Sequence, residues 1–259
     1  AKGIIRMLYG HVYIPYATVV DGQIIRIFDA MNHRVVREPE SDAGKKEIGG
    51  RAAGRLDPRW VKIQRPEIVV GGELTMHSLD LIYDPISKTY EAPLQMKANN
   101  GLFVIDDFGR QAMRPQDLLN RWIVPLELRI DFLSLQTGKK IEIPFDELIV
   151  FSTNLDPRDL VDDAFLRRIR HKILVDFPDE KIYYQILQQE CKRRKMDLPA
   201  EAFVYLMQKH YLANSRPLRS CHPRDLLDQI ADIADYLSMR PTLSKQLIDA
   251  ACESYFAKL

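Results

Sequence analysis

Gly101 opens a run of four large apolar residues, Leu102-Phe103-Val104-Ile105, that passes directly into two carboxylates, Asp106 and Asp107. Four apolar side chains in succession fit a strand buried on both faces, as in a parallel sheet covered by helices, better than a strand with one wet face. Ligands of open α/β sheets bind beyond the carboxyl ends of the strands, which is where these acids fall. There the first carboxylate suits a phosphate-bound magnesium ion held through its water shell. The second suits an attacking water that must be oriented or deprotonated. A buried strand followed by a solvated acidic turn would carry the same residues, so the rest of the chain has to separate the two readings.

At 259 residues and 46% hydrophobic, the chain can bury one sizeable core and a smaller second one. Its 37 basic and 36 acidic side chains balance, so bulk charge gives no reason to expect nucleic acid or an acidic membrane. Cys191, Cys221 and Cys252 are odd in number and lack a C-x-x-C spacing, which argues against a disulfide framework or a zinc site and fits a reducing cytoplasm. No apolar run approaches the ~20 residues of a membrane span, and the N-terminus has no signal-peptide pattern. A soluble, cytoplasmic protein is expected.

Residues 1 to 9 carry apolar side chains at helical spacing without a start signal, and read as the latter part of a helix with a further segment upstream. Val12 to Ile14 and Gln23 to Phe28 read as strands joined through Asp21-Gly22. The charged, Gly-rich stretch Arg37 to Asp57 predicts a mobile surface loop. Ile68 to Val70 is a strand ending in Gly71-Gly72, and Tyr83 to Asn100 is polar and turn-rich. Pro115 opens a helix over 116–124, since its missing N–H costs nothing in the first turn. Arg129 to Leu135 and Lys140 to Ile143 form a hairpin around Thr137-Gly138, and Leu148 to Phe151 is a second buried strand ending in Ser152-Thr153-Asn154. After Pro178 the periodicity becomes helical throughout, over 180–195, 200–211, 223–237 and 244–257, with Pro199, Pro217 and Pro241 between. Two domains are expected: an α/β core over 1–177 and an all-α lobe over 178–259.

The order of these signals resembles the AAA+ ATPases from Gly101 to Leu237. Asp106 and Asp107 match the family's Walker B pair, and Phe151-Ser152-Thr153-Asn154 resembles the sensor 1 strand and its polar tip. Asp162-Asp163-Ala164-Phe165-Leu166-Arg167-Arg168-Ile169 resembles the segment with the arginine finger, and Lys172 to Asp179 the last core strand. Cys221-His222-Pro223-Arg224-Asp225 resembles the start of the sensor 2 helix. The resemblance implies a parallel-sheet P-loop NTPase core with a C-terminal helical lid. It also implies ATP and Mg²⁺ as ligands, with Asp106 on the metal, Asp107 and Asn154 on the water, and Arg224 over the phosphates. Arg168 is the implied finger and Arg167 the alternative. The residues alone leave other uses open: Asn154 also suits a turn, Arg167 and Arg168 a solvated surface, and Arg224 a pair with Asp225 or Asp228.

Two departures stand out. No G-x-x-x-x-G-K-[ST] occurs, since neither Gly44-Lys45-Lys46 nor Gly138-Lys139-Lys140 has the spacing, so the phosphate loop is expected upstream of Ala1. Asp107 stands where the family usually has Glu, one methylene shorter in reach. The hairpin before the sensor 1 strand resembles the pre-sensor 1 hairpin branch, which includes MoxR-like chaperones, and implies a tip near Leu133, Leu135, Lys139 and Lys140 that faces a pore. The expected function is an ATPase that assembles into a homo-oligomeric, hexameric ring and remodels a macromolecular client, these 259 residues alone being inactive. The alternatives are a non-hydrolysing nucleotide-binding scaffold, or a nucleic-acid motor using Lys139, Lys140 and the Lys192-Arg193-Arg194-Lys195 run.

Overall fold

The computed structural model describes residue 4 and residues 7–36, 57–160 and 163–257. The chain divides into two compact units, 1–171 and 172–259. The expected helix end over 1–9 and the loop over 37–57 lie mostly outside the described residues.

In the first unit β1 (His11–Pro15), β2 (Ala17–Val20) and β3 (Gln23–Arg26) follow one another, then β4 (Trp60–Gln64) and β5 (Glu67–Val70). Next come β6 (Ile82–Asp84), β7 (Thr89–Glu91), α1 (Leu94–Ala98), β8 (Leu102–Ile105) and α2 (Pro115–Leu128). β9 (Ile130–Ser134), β10 (Lys140–Pro144), β11 (Leu148–Phe151) and the short helices α3 (Pro157–Leu160) and α4 (Asp163–Leu166) complete it.

The expected parallel sheet is present, in the order β11-β8-β5. Val104 lies level with Val69 on one side and Val150 on the other. All four residues of β8 are buried, which is why its sequence shows no alternation. Gly101 lets the chain enter the sheet, because a Cβ there would fall 2.2 Å from the Pro66 carbonyl oxygen. Trp122 of α2 covers the sheet, with ring centroids 5.6 Å from both Phe103 and Phe145. α2 runs four residues beyond the expected end at Val124 and carries Pro125 inside, stopping where Arg129 turns left-handed at φ 61°. β11 is a correction too: it is a half-buried edge with Leu148 exposed, not a strand buried on both faces.

Around this sheet lies a second β-rich layer that the sequence showed only in part. The Asp21-Gly22 turn joins β2 to β3, whereas β1 pairs antiparallel with β4. The stretch read as polar and turn-rich contributes β6 and β7 to a mixed sheet, β2-β3-β7-β6, and also α1. The β9-β10 hairpin forms around Thr137-Gly138 with Gln136, Thr137, Gly138, Lys139 and Lys140 exposed at its tip, whereas Leu133 and Leu135 are buried with Ile25, Tyr90, Ile141 and Ile143. Lys139 pairs with Asp21 on the β2-β3 turn. Lys97 is buried with its ammonium on Asp29 at 2.8 Å and on Glu91, and its carbonyl 2.9 Å from His33 Nε2.

The second unit contains α5 (Glu180–Arg194), α6 (Ala200–Leu206), α7 (His222–Tyr236) and α8 (Lys245–Tyr255) around one apolar core. α6 widens into a π-type turn over Met207–Tyr211. The segment expected as the last core strand, Lys172 to Asp179, is not one: Ile173, Leu174 and Val175 are 84%, 88% and 85% exposed without strand pairing. Apolar β-formers make a strand only when a neighbour accepts their backbone hydrogen bonds. Among the described residues no helix is long and apolar enough to cross a membrane.

Glu147, between β10 and β11, is 3% exposed, and neither carboxyl oxygen has a hydrogen-bond partner among the described residues. Burial above all, with the nearby Asp131 and Asp146 charges, pushes its pKa up to about 8. Below the ordinary carboxylate pKa the group is protonated folded and unfolded alike, and full stability is present. Between there and about pH 8 only the unfolded chain releases the proton, so stability falls by up to roughly 1.4 kcal/mol per pH unit and then levels off. Glu147→Gln should remove this loss, so its urea midpoint should exceed the parent's by a margin that widens from pH 5 to pH 8. A margin constant over that range would show that Glu147 ionises freely in the fold.

Candidate functional site

The carboxyl ends of the three parallel strands build one surface in the first unit. The backbone ladder does not stop where the strands do: Asp106 N donates to Val70 O at 2.8 Å and Ser152 N to Ile105 O at 2.9 Å. Phe108 N then reaches back to Ser152 O at 2.6 Å, and Thr153 Oγ1 donates to Phe108 O at 2.8 Å. Asp106-Asp107 and Ser152-Thr153-Asn154 are thus joined at the same end of adjacent strands. The structure brings together the residues that the sequence singled out on β8 and β11.

The turn carrying the acids is unusual in its backbone. Asp107 is left-handed at φ 50°, and Gly109 follows at φ 102°. Gln111 clamps the turn: its Oε1 accepts from Gly109 N at 2.8 Å, and its Nε2 donates to Asp106 O at 2.9 Å and Asp107 O at 3.3 Å. Phe108 anchors it below, edge-on to Phe151 at 4.9 Å. Asp106, Asp107 and Asn154 are left exposed above. Asp106 Oδ1 accepts from Asp107 N at 3.2 Å. The sequence singles out neither Gln111 nor Phe108, and Thr153 only as part of the polar tip, because their part is to hold the turn and neither spacing nor residue type announces that.

No group of three or more His, Cys, Asp or Glu side chains able to hold a metal by themselves occurs among the described residues. An exposed carboxylate pair of hard oxygen donors still fits Mg²⁺, which keeps several waters and takes ligands from substrate phosphates rather than from an all-protein cage.

The two arginines of the α4 region differ in setting. Arg167 is exposed, whereas Arg168 is half-buried and reaches Glu127 Oε1 of α2 at 2.7 Å. In the second unit, Arg224 lies in the first turn of α7. Its guanidinium meets Asp225 Oδ1 at 2.9 Å through Nε, and Asp225 Oδ2 accepts from the Tyr255 hydroxyl of α8 at 2.9 Å. The Asp225 hydrogen bond raises the already high pKa of Arg224. Burial, with Asp225 beside it, pushes Tyr255 up to about 12, so its hydroxyl stays a donor. Behind them runs a buried chain, Tyr183 to Tyr211 at 2.7 Å and Tyr211 to His222 Nδ1 at 3.0 Å, and burial lowers the His222 pKa.

Residues 179–254 match the profile of a family described as a domain of unknown function, DUF8689. No curated protein sequence matches the chain. Among solved structures, the chain is similar to NtrX from Brucella abortus at 12% identity and a TM-score of 0.51, over 75% of this chain and 45% of that one. NtrX from the same organism in complex with ATP gives 12%, 0.50 and the same coverage. The fold resembles that of these NtrX structures. The chain spans less than half the length of these structures, and at this identity the likeness concerns the fold alone.

A Cβ on Gly109 would lie 2.6 Å from Leu160 Cδ2 and 3.1 Å from Leu155 Cδ1, in a left-handed backbone. Gly109→Ala should therefore destabilise the first unit by about 1–3 kcal/mol, read as a lowered urea midpoint. An unchanged midpoint would mean that the acidic turn relaxes without resistance.

Proposed function

We propose that this chain is the greater part of an AAA+ ATPase module. In this reading it couples Mg²⁺-dependent ATP hydrolysis to the remodelling of a macromolecular client, in the cytoplasm and as a homo-oligomeric ring. The observation that carries the reading is the Asp106-Asp107 pair on a fully buried parallel strand, hydrogen-bonded through Phe108, Ser152 and Thr153 to the strand end that bears Asn154. That is the arrangement phosphoryl transfer needs: little covalent chemistry, but acceptors fixed where a metal and an attacking water must be held.

In this reading the core is the first unit and the lid the second. Asp106 would hold the metal, and Mg²⁺ when bound would neutralise charge developing on the phosphates. Asp107 takes or orients the proton of the attacking water, and Asn154 offers it one donor and one acceptor. Arg224 is a permanent cation for the phosphates, aimed by the Tyr255-Asp225 relay. The arginine finger is Arg168 or Arg167. The ion pair with Glu127 orients Arg168 and must be broken or shared if it is to reach a neighbouring subunit, while Arg167 is already exposed. The phosphate loop belongs to residues outside these 259.

Of the hairpin residues proposed to face the client, Leu133 and Leu135 are committed to a core, which leaves the exposed Lys139 and Lys140 for that contact. Of the six basic residues of the motor reading, three are engaged in ion pairs: Arg193 and Arg194 with Glu190, Arg194 also with Asp228, and Lys139 with Asp21.

In the full-length protein Asp107→Asn should preserve nucleotide binding and lower turnover by ~10² to 10⁴, the scale of general-base catalysis. Asp106→Asn should weaken the magnesium-dependent part of binding as well. ATP turnover alongside nucleotide titration with and without magnesium measures both, and a wild-type rate in Asp107→Asn would show that Asp107 belongs only to a solvated turn and takes no part in hydrolysis.

The ring makes a second demand. A finger acts in trans and is worth ~10³ to 10⁵ in rate, so Arg168→Ala subunits mixed with Asp107→Asn subunits should regain hydrolysis at interfaces that combine an intact Asp107 with an intact Arg168. Complementation by Arg167→Ala instead would identify Arg167. Complementation by neither, with subunit exchange demonstrated by labelled subunits, would refute the trans mechanism.

A further inference from the structure

The turn after β8 is held twice, and the two holds act on different residues. Phe108 is fixed from below: its N donates to Ser152 O at 2.6 Å, its carbonyl accepts from Thr153 Oγ1 at 2.8 Å, and its ring meets Phe151. Those contacts root the turn in the sheet without involving Asp107. Gln111 holds the rest, accepting from Gly109 N at 2.8 Å and donating to Asp106 O at 2.9 Å and Asp107 O at 3.3 Å. One side-chain amide thus meets one backbone donor and two backbone acceptors, which only one orientation of its oxygen and nitrogen satisfies.

Within this clamp Asp107 stands at φ 50°. An L residue enters the left-handed region as an isolated exception and stays there where its surroundings over-determine it. The Asp107 carboxylate is exposed, and no hydrogen bond or ion pair among the described residues reaches it. Its place therefore follows from the backbone. The second side-chain torsion of an Asp only spins the carboxyl group, so the direction of the Cα–Cβ bond and one rotamer choice set where the oxygens lie. A return of Asp107 to right-handed backbone would point that bond elsewhere.

We propose that Gln111 is a positioning residue for hydrolysis: by keeping Asp107 left-handed it aims the Asp107 carboxylate at the attacking water. The inference rests on the ATPase reading of the Asp106-Asp107 pair. Both amide donors of Gln111 are engaged by backbone carbonyls, so it acts through Asp107 rather than on the nucleotide. Phe108 already secures the turn to the sheet, and what Gln111 adds is the direction of one carboxylate. A base displaced by even ~1 Å loses much of its effect, which is why a residue that touches no reacting atom can govern the rate.

The test uses the full-length protein and two substitutions. Gln111→Met keeps the length of the side chain and removes all three hydrogen bonds; Gln111→Glu keeps the acceptor for Gly109 N but meets the two carbonyls without a donor at neutral pH. Each should lower kcat for ATP by roughly 10- to 100-fold, the scale of a small misplacement, while the Kd for magnesium–ATP stays at the parental value. In an Asp107→Asn background the same substitutions should lower kcat no further, because residues acting as a unit are not additive. Amide hydrogen exchange reads the clamp independently of turnover: protection of the Gly109 N–H should fall in Gln111→Met and persist in Gln111→Glu. If Gln111→Met fails to fold, Gln111→Glu with its Asp107→Asn double variant decides the matter. Parental kcat in both variants, a loss of equal size in the Asp107→Asn background, or a Kd that weakens in step with kcat would each overturn the inference and leave the ATPase reading standing. A parent protein that turns over no ATP would overturn both.

Discussion

The interaction on which the first unit depends is the parallel backbone ladder that β8 shares with β5 and β11. A strand buried on both faces can satisfy its peptide groups only through its neighbours, and β8 does so along its whole length. The ladder then continues past the regular strands, through Ser152 N to Ile105 O and Phe108 N to Ser152 O. That continuation is what fixes two loops together as one site. Polar side chains at strand ends are ordinarily free to wander, whereas here the backbone beneath them is tied on both sides and clamped by Gln111. The aromatic contacts of Trp122 and Phe108 hold the same layer from below.

The second β layer changes what the unit presents outward. A hairpin before the last parallel strand offers itself as a free arm, but its alternation puts Leu133, Leu135, Ile141 and Ile143 on one face. With a mixed sheet nearby, burying that face is worth more than leaving it wet, at ~1.5–3 kcal/mol per large apolar side chain. The outward surface of this layer includes the β1-β4 ribbon, whose Tyr13 and Trp60 rings are exposed.

In the helical unit, charge is organised by pairing rather than by accumulation. A run of four cations reads as a basic patch in one dimension, yet α5 brings Glu190 to Arg193 and Arg194, and α7 brings Asp228 to Arg194. Arg224 is treated differently. Its partner Asp225 is itself held by Tyr255 from α8, so the first turn of α7 is braced by a hydrogen-bonded relay while the guanidinium stays more than half exposed.

The sequence by itself determined the parallel strands, the hairpin turns and the helices after Pro178, because continuous apolar runs, Asp-Gly and Thr-Gly turns, and 3.6-residue periodicity are local signals. It also determined that two carboxylates end a buried strand. Only the tertiary structure decided β2, β6 and β7, which are short and exist by virtue of the neighbours they pair with, and α1, a five-residue helix with Gln95, Lys97 and Ala98 buried. Tertiary structure likewise left Ile173 to Val175 exposed despite their strong strand preference, since a strand without a partner's ladder has no place for its backbone. The parts of Gln111, Thr153, Glu127 and Tyr255 were invisible in the sequence for a related reason. Each acts on a residue between 2 and 45 positions away or on another element altogether, and only folding brings a hydrogen-bond donor within 3 Å of its acceptor.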